Sequence, residues 1–152
     1  MGNGSLKPQL QMLVQDLSIE ESVLFIDSVP QEDIWKYVGA ADIGLCILQN
    51  SNRNHYYALP NKLFECIQSE VPVIGSNFPE IQRIIDGYGV GLCCDPSDAG
   101  EMQGCIIRLK EDSQLLNKIQ GNIQRAKPEL CWEKECIKLK QMYQPILKDF
   151  IP

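Results

Sequence analysis

The chain has 152 residues, 44% of them hydrophobic and 22% charged, with a formal net charge of −6 at pH 7. That length and balance fit one globular domain with a real core, and the negative charge argues against nucleic acid or an anionic membrane as partner. No apolar run approaches the ~20 residues of a membrane span, and the start, MGNGSLKPQL, holds no signal-peptide apolar region.

Taken in order, Gly2-Asn3-Gly4-Ser5 leads into an amphipathic helix in which Leu6, Leu10, Leu13, Val14 and Leu17 share a face. Ser5 is placed to cap it, and Pro8 falls within its first turn. A short strand is expected over 23–27. Pro30 breaks the chain, and a second helix begins at Gln31-Glu32-Asp33, with Ile34, Tyr37, Val38 and Ala41 as its apolar positions. A second strand covers 42–48. The polar loop 49–59 has no periodicity and is long for a connection of this kind, which marks it as a candidate functional loop.

The stretch LPNKLFECIQSEVPVIG, residues 59–75, organises the chain. Leu63, Phe64 and Ile67 form an apolar helical face, and Pro60 suits a first helical turn, where its missing N–H is no loss. Residues 71–75 are almost wholly apolar, as in a strand buried on both faces. Lys62 falls near the helix N-terminus, where the macrodipole disfavours a cation. An anionic ligand there would resolve the conflict. Glu65, about one turn on, can accept two hydrogen bonds from a vicinal diol. Helix end, cation and diol acceptor together suggest a sugar nucleotide. The plainer alternative is that Lys62 snorkels to water and Glu65 is solvated, and this stretch alone leaves both open.

A turn at 76–79 precedes a helix through Ile81, Ile84 and Ile85, ended by Gly87 and Gly89. Residues 91–94 form the last strand. Asp98 then caps a helix with Met102, Cys105, Ile106 and Leu109 facing inward. Ser113 caps another, built on Leu116, Ile119 and Ile123. Pro128 interrupts, and a final helix carries Trp132, Cys136, Leu139, Tyr143 and Ile146 on one stripe. Such alternation predicts an α/β fold, a Rossmann-like parallel sheet with helices on both faces and ligands at the carboxyl ends of its strands.

The seven cysteines form no CxxC, and His55 is the only histidine. No metal site is expected. Cys46, Cys93 and Cys94 fall in strand-like runs, and Cys66, Cys105, Cys131 and Cys136 on helix-like segments. They read as reduced, inert thiols of a cytoplasmic protein. His55, in the polar loop, reads as a surface residue rather than a base.

Several runs together resemble the C-terminal, donor-binding domain of GT-B-fold retaining glycosyltransferases, the glycosyl transferases group 1 type. They are GNGS, VLFIDSVPQEDIWKYVGAADIGLCIL, LPNKLFECIQSEVPVIGSNFPEIQRIID, GVGLCCDPSDAGEM and CWEKECIKLKQMY. In order and spacing they cover the chain from Gly2 to about Leu147. The resemblance implies a nucleotide-diphosphate sugar as donor substrate, with no cofactor and no metal. By register Glu65 matches the second glutamate of the family's Glu-x7-Glu motif, which holds the ribose hydroxyls. Leu63 and Phe64 match positions whose backbone faces the diphosphate. Ser28, Val29 and Pro30 match the turn beside the nucleobase. Asn61 and Lys62 give the Pro-Asn-Lys-Leu-Phe-Glu form of some polysaccharide-building members. The motif's first glutamate is replaced by Tyr57, a departure at the contact to the donor sugar.

The resemblance further implies an N-terminally truncated domain. The family's first two strands, its clamping Arg and Lys and its acceptor-binding domain have no counterpart in this sequence. The chain is then a single, partial nucleotide-sugar-binding domain, 1–152, with terminal helices over 98–150 packing on the sheet and reaching toward an absent N-terminal acceptor domain or a partner chain. By itself it is expected to be inactive. The complete enzyme would transfer a sugar to a glycan or lipid-linked acceptor in polysaccharide biosynthesis, with room for peripheral membrane association. Two rivals stand beside this: a non-catalytic fragment or subunit of a split enzyme, and a nucleotide-sugar epimerase of related fold. The latter needs catalytic carboxylates and a histidine, and only His55 is on hand.

Overall fold

The structure is a computed structural model; it describes residues 1–148, with side chains to residue 145. It divides into two compact units, Met1–Ile34 and Trp35–Pro152. Each is taken by itself.

In the first unit, α1 (Lys7–Asp16) forms where the leucine periodicity predicts it. Its N-cap is Leu6 without a side-chain bond, not Ser5, and Pro8 is accommodated in the first turn. Its apolar stripe is not buried: Leu6, Leu10, Leu13 and Leu17 are all exposed. Periodicity identifies an amphipathic helix but not what covers it. The expected strand over 23–27 is absent. A strand exists only through a ladder to a neighbour, and this segment's backbone accepts one bond, from Gly2 N–H to Ile26 O at 2.9 Å. An ion pair between Lys7 and Asp27 ties the segment to α1. The predicted helix at Gln31 starts instead as a 3-10 turn, Gln31–Asp33.

The second unit is a three-stranded parallel sheet in the order β1-β2-β3, with β1 at Gly44–Cys46, β2 at Val73–Ser76 and β3 at Gly91–Cys94. β3 matches the sequence expectation residue for residue. β1 is shorter than the expected 42–48, and β2 begins two residues later than expected. Two further helices join the strands, α4 (Asn61–Gln68) from β1 to β2 and α5 (Pro79–Tyr88) from β2 to β3. In-line strand order with right-handed crossovers puts both on one face. Register agrees: Gly44 and Cys46 lie beside Val73 and Gly75. A Cβ on Gly44 would meet Cys66 Sγ of α4 at 2.4 Å, and one on Gly75 would meet Ile85 of α5 at 2.5 Å. Both glycines are therefore the reason the helices sit so close to the sheet.

The alternate set, Leu45, Ile74, Leu92 and Cys94, faces the other way. At its β3 end it is covered by α6 (Ala99–Glu111), whose Cys105 thiol donates to Cys93 O at 3.9 Å. α7 (Ser113–Ala126) packs on both α5 and α6, with Ile119 and Ile123 buried. The core therefore runs through Leu63, Ile67, Val73, Ile74, Ile81, Ile85, Leu109 and Ile123, all within this unit. Asp98 caps α6 as predicted. The cap of α7 is Asp112, one residue before Ser113, with its carboxylate accepting Leu115 N–H. Gly89 ends α5 in the left-handed conformation at φ 63°, while Gly87 lies inside the helix. Ile106 is exposed rather than inward.

α2 (Ile34–Val38) is a single turn and a half, and α8 (Trp132–Lys148) is the long final helix. Along the α8 stripe, Trp132, Leu139 and Tyr143 are exposed, and the side chain of Ile146 lies outside the described residues. Residues 149 and 150 of the anticipated terminal segment likewise fall outside the description. Cys131 sits in the turn before α8, not on a helix. No disulfide forms among the seven cysteines.

Candidate functional site

The carboxyl ends of the three strands are stitched together by a few polar side chains. Ser76, fully buried at the end of β2, accepts Leu48 N–H at 2.8 Å and donates to Leu48 O at 2.9 Å. One hydroxyl thus satisfies both backbone groups just past β1. Gln49 Nε2 donates to Pro96 O at 2.6 Å, and Asn77 N–H to Cys94 O at 2.9 Å. This edge is consequently a defined floor from which the loop 49–59 departs.

The loop is not structureless. It contains α3 (Arg53–Tyr56), one turn capped by Asn52, whose side chain accepts His55 N–H at 2.9 Å. Ser51 Oγ lies 2.6 Å from His55 Nδ1. The Tyr56 ring stands 5.1 Å from that of Phe78, the N-cap of α5, and 4.9 Å from Tyr57. The one sequence signal for this turn was Asn52 three residues before His55, an Asx cap pattern. The Ser76 clasp spans 28 residues and had no local signal.

The loop delivers the chain to α4, whose N-cap is Pro60 with no side-chain capping bond and whose first turn carries no acidic residue. Pro60 accordingly stands just before the helix rather than in it. Leu63 N–H bonds Pro60 O at 3.1 Å, which leaves the leading amides of Asn61 and Lys62 without an intrahelical partner. Leu63 is fully buried, so any role it has toward a ligand runs through its backbone. Phe64 and Glu65 are half-buried, Asn61 and Lys62 exposed.

The charges of this helix are felt below it. Burial pushes the thiols of Cys46, in β1, and Cys66, in α4, up to about 11, while the Lys62 ammonium pulls both down and Glu65 pushes Cys66 further up. Lys62 therefore lies within electrostatic reach of the end of β1. Asn61, Lys62, Leu63, Phe64 and Glu65 are brought together on one helix, with exposed Tyr57 on the approach to it. Ser28, Val29 and Pro30 belong to the first unit, in its extended segment before the 3-10 turn. Among the described residues no group of three His, Cys, Asp or Glu could hold a metal ion, and no helix is long and apolar enough to cross a membrane.

Comparison with known proteins gives the following. The family model described as "Glycosyl transferases group 1" matches residues 1–126. The amylovoran biosynthesis glycosyltransferase AmsK of Erwinia amylovora is 27% identical over 111 residues, 73% of this chain and 27% of that protein. The chitobiosyldiphosphodolichol beta-mannosyltransferase of Pongo abelii is 22% identical over 150 residues, 97% of this chain and 31% of that protein. Among solved structures, sucrose-phosphate synthase from Thermosynechococcus elongatus superposes with a TM-score of 0.79 at 22% identity, over 96% of this chain and 35% of that one. At that identity the likeness speaks for the fold. The chain spans about a third or less of the length of each of these proteins.

Proposed function

The chain belongs to the glycosyl transferases group 1 family, and from that premise we propose that its second unit is the donor-binding part of a glycosyltransferase that uses a nucleotide-diphosphate sugar. The observation that carries this is the start of α4: uncapped amides, the Lys62 cation and, one turn on, the Glu65 carboxylate, all at the carboxyl edge of a parallel sheet. The free amides of Asn61 and Lys62 receive the diphosphate, and the Lys62 ammonium balances its charge. Glu65 accepts hydrogen bonds from the ribose diol. Tyr57 offers a phenol toward the sugar where a carboxylate would be usual.

In the complete transferase this arrangement stabilises the nucleoside diphosphate as it departs, because fixed dipoles and a cation meet the charge that develops on the leaving oxygen. The acceptor, by the names of the relatives, is a growing polysaccharide or a lipid-linked glycan. Seven free thiols suit a reducing, cytoplasmic setting.

Titration of the isotope-labelled chain with uridine diphosphate and guanosine diphosphate tests the assignment. Saturable amide shifts over 61–65 and in the loop 49–59 are expected. Shifts confined to the amino ends of the strands, near Ile43 and Val90, or no saturable shift at all, would overturn it.

A further inference from the structure

The Ser51–His55 pair stands on the loop that joins the carboxyl end of β1 to α4 and has no part in the α4 donor contacts. His55 is fixed from two sides: Asn52 holds its backbone N–H at 2.9 Å, and Ser51 Oγ holds its Nδ1 at 2.6 Å. The segment carrying it is pinned at both ends, by Gln49 on Pro96 O and by the Tyr56 ring against Phe78. The imidazole itself is exposed, and among the described residues no carboxylate pairs with it. A hydrogen bond between two exposed side chains contributes little to folding. Its effect here is on direction.

The ring's two nitrogens are thereby given different tasks. If the imidazole is neutral, either the Ser51 hydroxyl donates to Nδ1 with the ring proton on Nε2, or Nδ1–H donates to Ser51 Oγ and leaves Nε2 a bare acceptor; a phosphate oxygen at Nε2 selects the first form. If it is charged, Nδ1–H donates to Ser51 Oγ and Nε2–H is still present. In that neutral form and in the charged form Nε2 carries a proton to donate. His55 stands in a loop that begins at the carboxyl end of β1 and ends at the uncapped start of α4.

We propose that His55, aligned by Ser51, is a further contact to the donor, its Nε2–H donating to a phosphate oxygen of the nucleoside diphosphate. Ser51 acts as the positioning residue. This rests on the donor-binding assignment and adds to it a second phosphate ligand, from the loop rather than the helix.

Because His55 is the only histidine in the chain, its imidazole nitrogens give one unambiguous set of magnetic resonance signals. On saturation with uridine diphosphate or guanosine diphosphate, the Nε2 signal should move together with the amides over 61–65. His55→Ala should weaken diphosphate binding by about tenfold without changing the melting temperature. It should leave the weak binding of uridine or guanosine, which lack phosphate, unaltered. His55→Gln, which keeps an N–H donor at a similar reach, should recover most of the loss. Ser51→Ala should weaken binding about threefold. An unmoved imidazole signal with shifted amides over 61–65 would overturn the His55 contact and leave the donor site standing. Equal loss in His55→Ala and His55→Gln, or loss for the phosphate-free nucleoside too, would also overturn it. No shift anywhere would remove both.

Discussion

α6 and α4 both leave the carboxyl edge of the same sheet, α6 after β3 and α4 after the loop that follows β1. At α6 the chain satisfies its own helix end. Asp98 accepts Gly100 N–H at 2.8 Å and Glu101 N–H at 3.0 Å, and Glu101 Oε2 reaches back to Asp95 N–H at 2.5 Å. Asp95 in turn is held below the usual carboxylate range by the Ser97 hydroxyl and backbone. At α4 the residue types are opposite: no cap, no acid, one cation. The positive end of a helix dipole can be answered from within or left for an incoming anion. One sheet edge contains both solutions, and the difference separates a structural connection from a candidate site.

The buried thiols report the same contrast, and alkaline pH gives the largest expected effect. Burial first raises half-buried Cys93 to about 12 and buried Cys94 to about 11; the Asp86 carboxylate adds to it at Cys93, and the Cys105 thiol and then Glu101 add to it at Cys94. Cys46 and Cys66 are raised to about 11 against the pull of Lys62. A folded value above the unfolded one stabilises the fold fully below the unfolded value of 9.0. That stabilisation is lost as pH rises toward 11 or 12. Cys46 and Cys66 alone carry on the order of 2 kcal/mol each. Chemical denaturation followed from pH 8 to 11 should show a steep fall in stability above 9. A flat profile would mean the thiols are not buried as described.

Ser76→Ala comes next. It strands both backbone groups of Leu48 at a buried position, which costs about 2 kcal/mol, and it frees the loop at its root. Melting should drop and nucleoside diphosphate affinity fall with it; a variant as stable as the parent would show that Ser76 is not the clasp. Asp98→Ala removes the α6 cap and should lower stability by about 1 kcal/mol with donor binding untouched. A change in donor affinity there would erase the distinction between the two helix ends. Lys62→Met is the smallest effect on folding and the sharpest in sign. Removing a cation from a helix N-terminus should raise stability by about 0.3–1 kcal/mol while weakening diphosphate binding. Loss of stability instead would place Lys62 in a structural role.

How much of this was legible in the sequence follows from range. β3 and α4 were read correctly because a buried parallel strand and a short amphipathic helix declare themselves in composition and period. The residues of the α4 start were legible for the same reason. The segment 23–27 has strand composition, but strand identity resides in a neighbour, and a single bond from Gly2 does not make a ladder. The stripes of α1 and α8 show the same limit: Trp132 is 67% exposed despite its place in a helical repeat. The Ser76 clasp and the Tyr56–Phe78 contact join residues far apart in sequence, so nothing local encodes them. Asp112 rather than Ser113 as cap is an error of one position between two residue types that cap about equally well.

The central claim is that the α4 start binds the donor, and Glu65→Gln tests it most directly. The substitution keeps shape and removes the charge that strengthens hydrogen bonds to the ribose diol, each contributing about 1.5–3 kcal/mol. Calorimetric titration with a uridine or guanosine diphosphate sugar, with thermal melts alongside, should show donor affinity reduced about tenfold or more at unchanged melting temperature. Donor affinity equal to that of the parent in a fully folded Glu65→Gln chain would contradict the account.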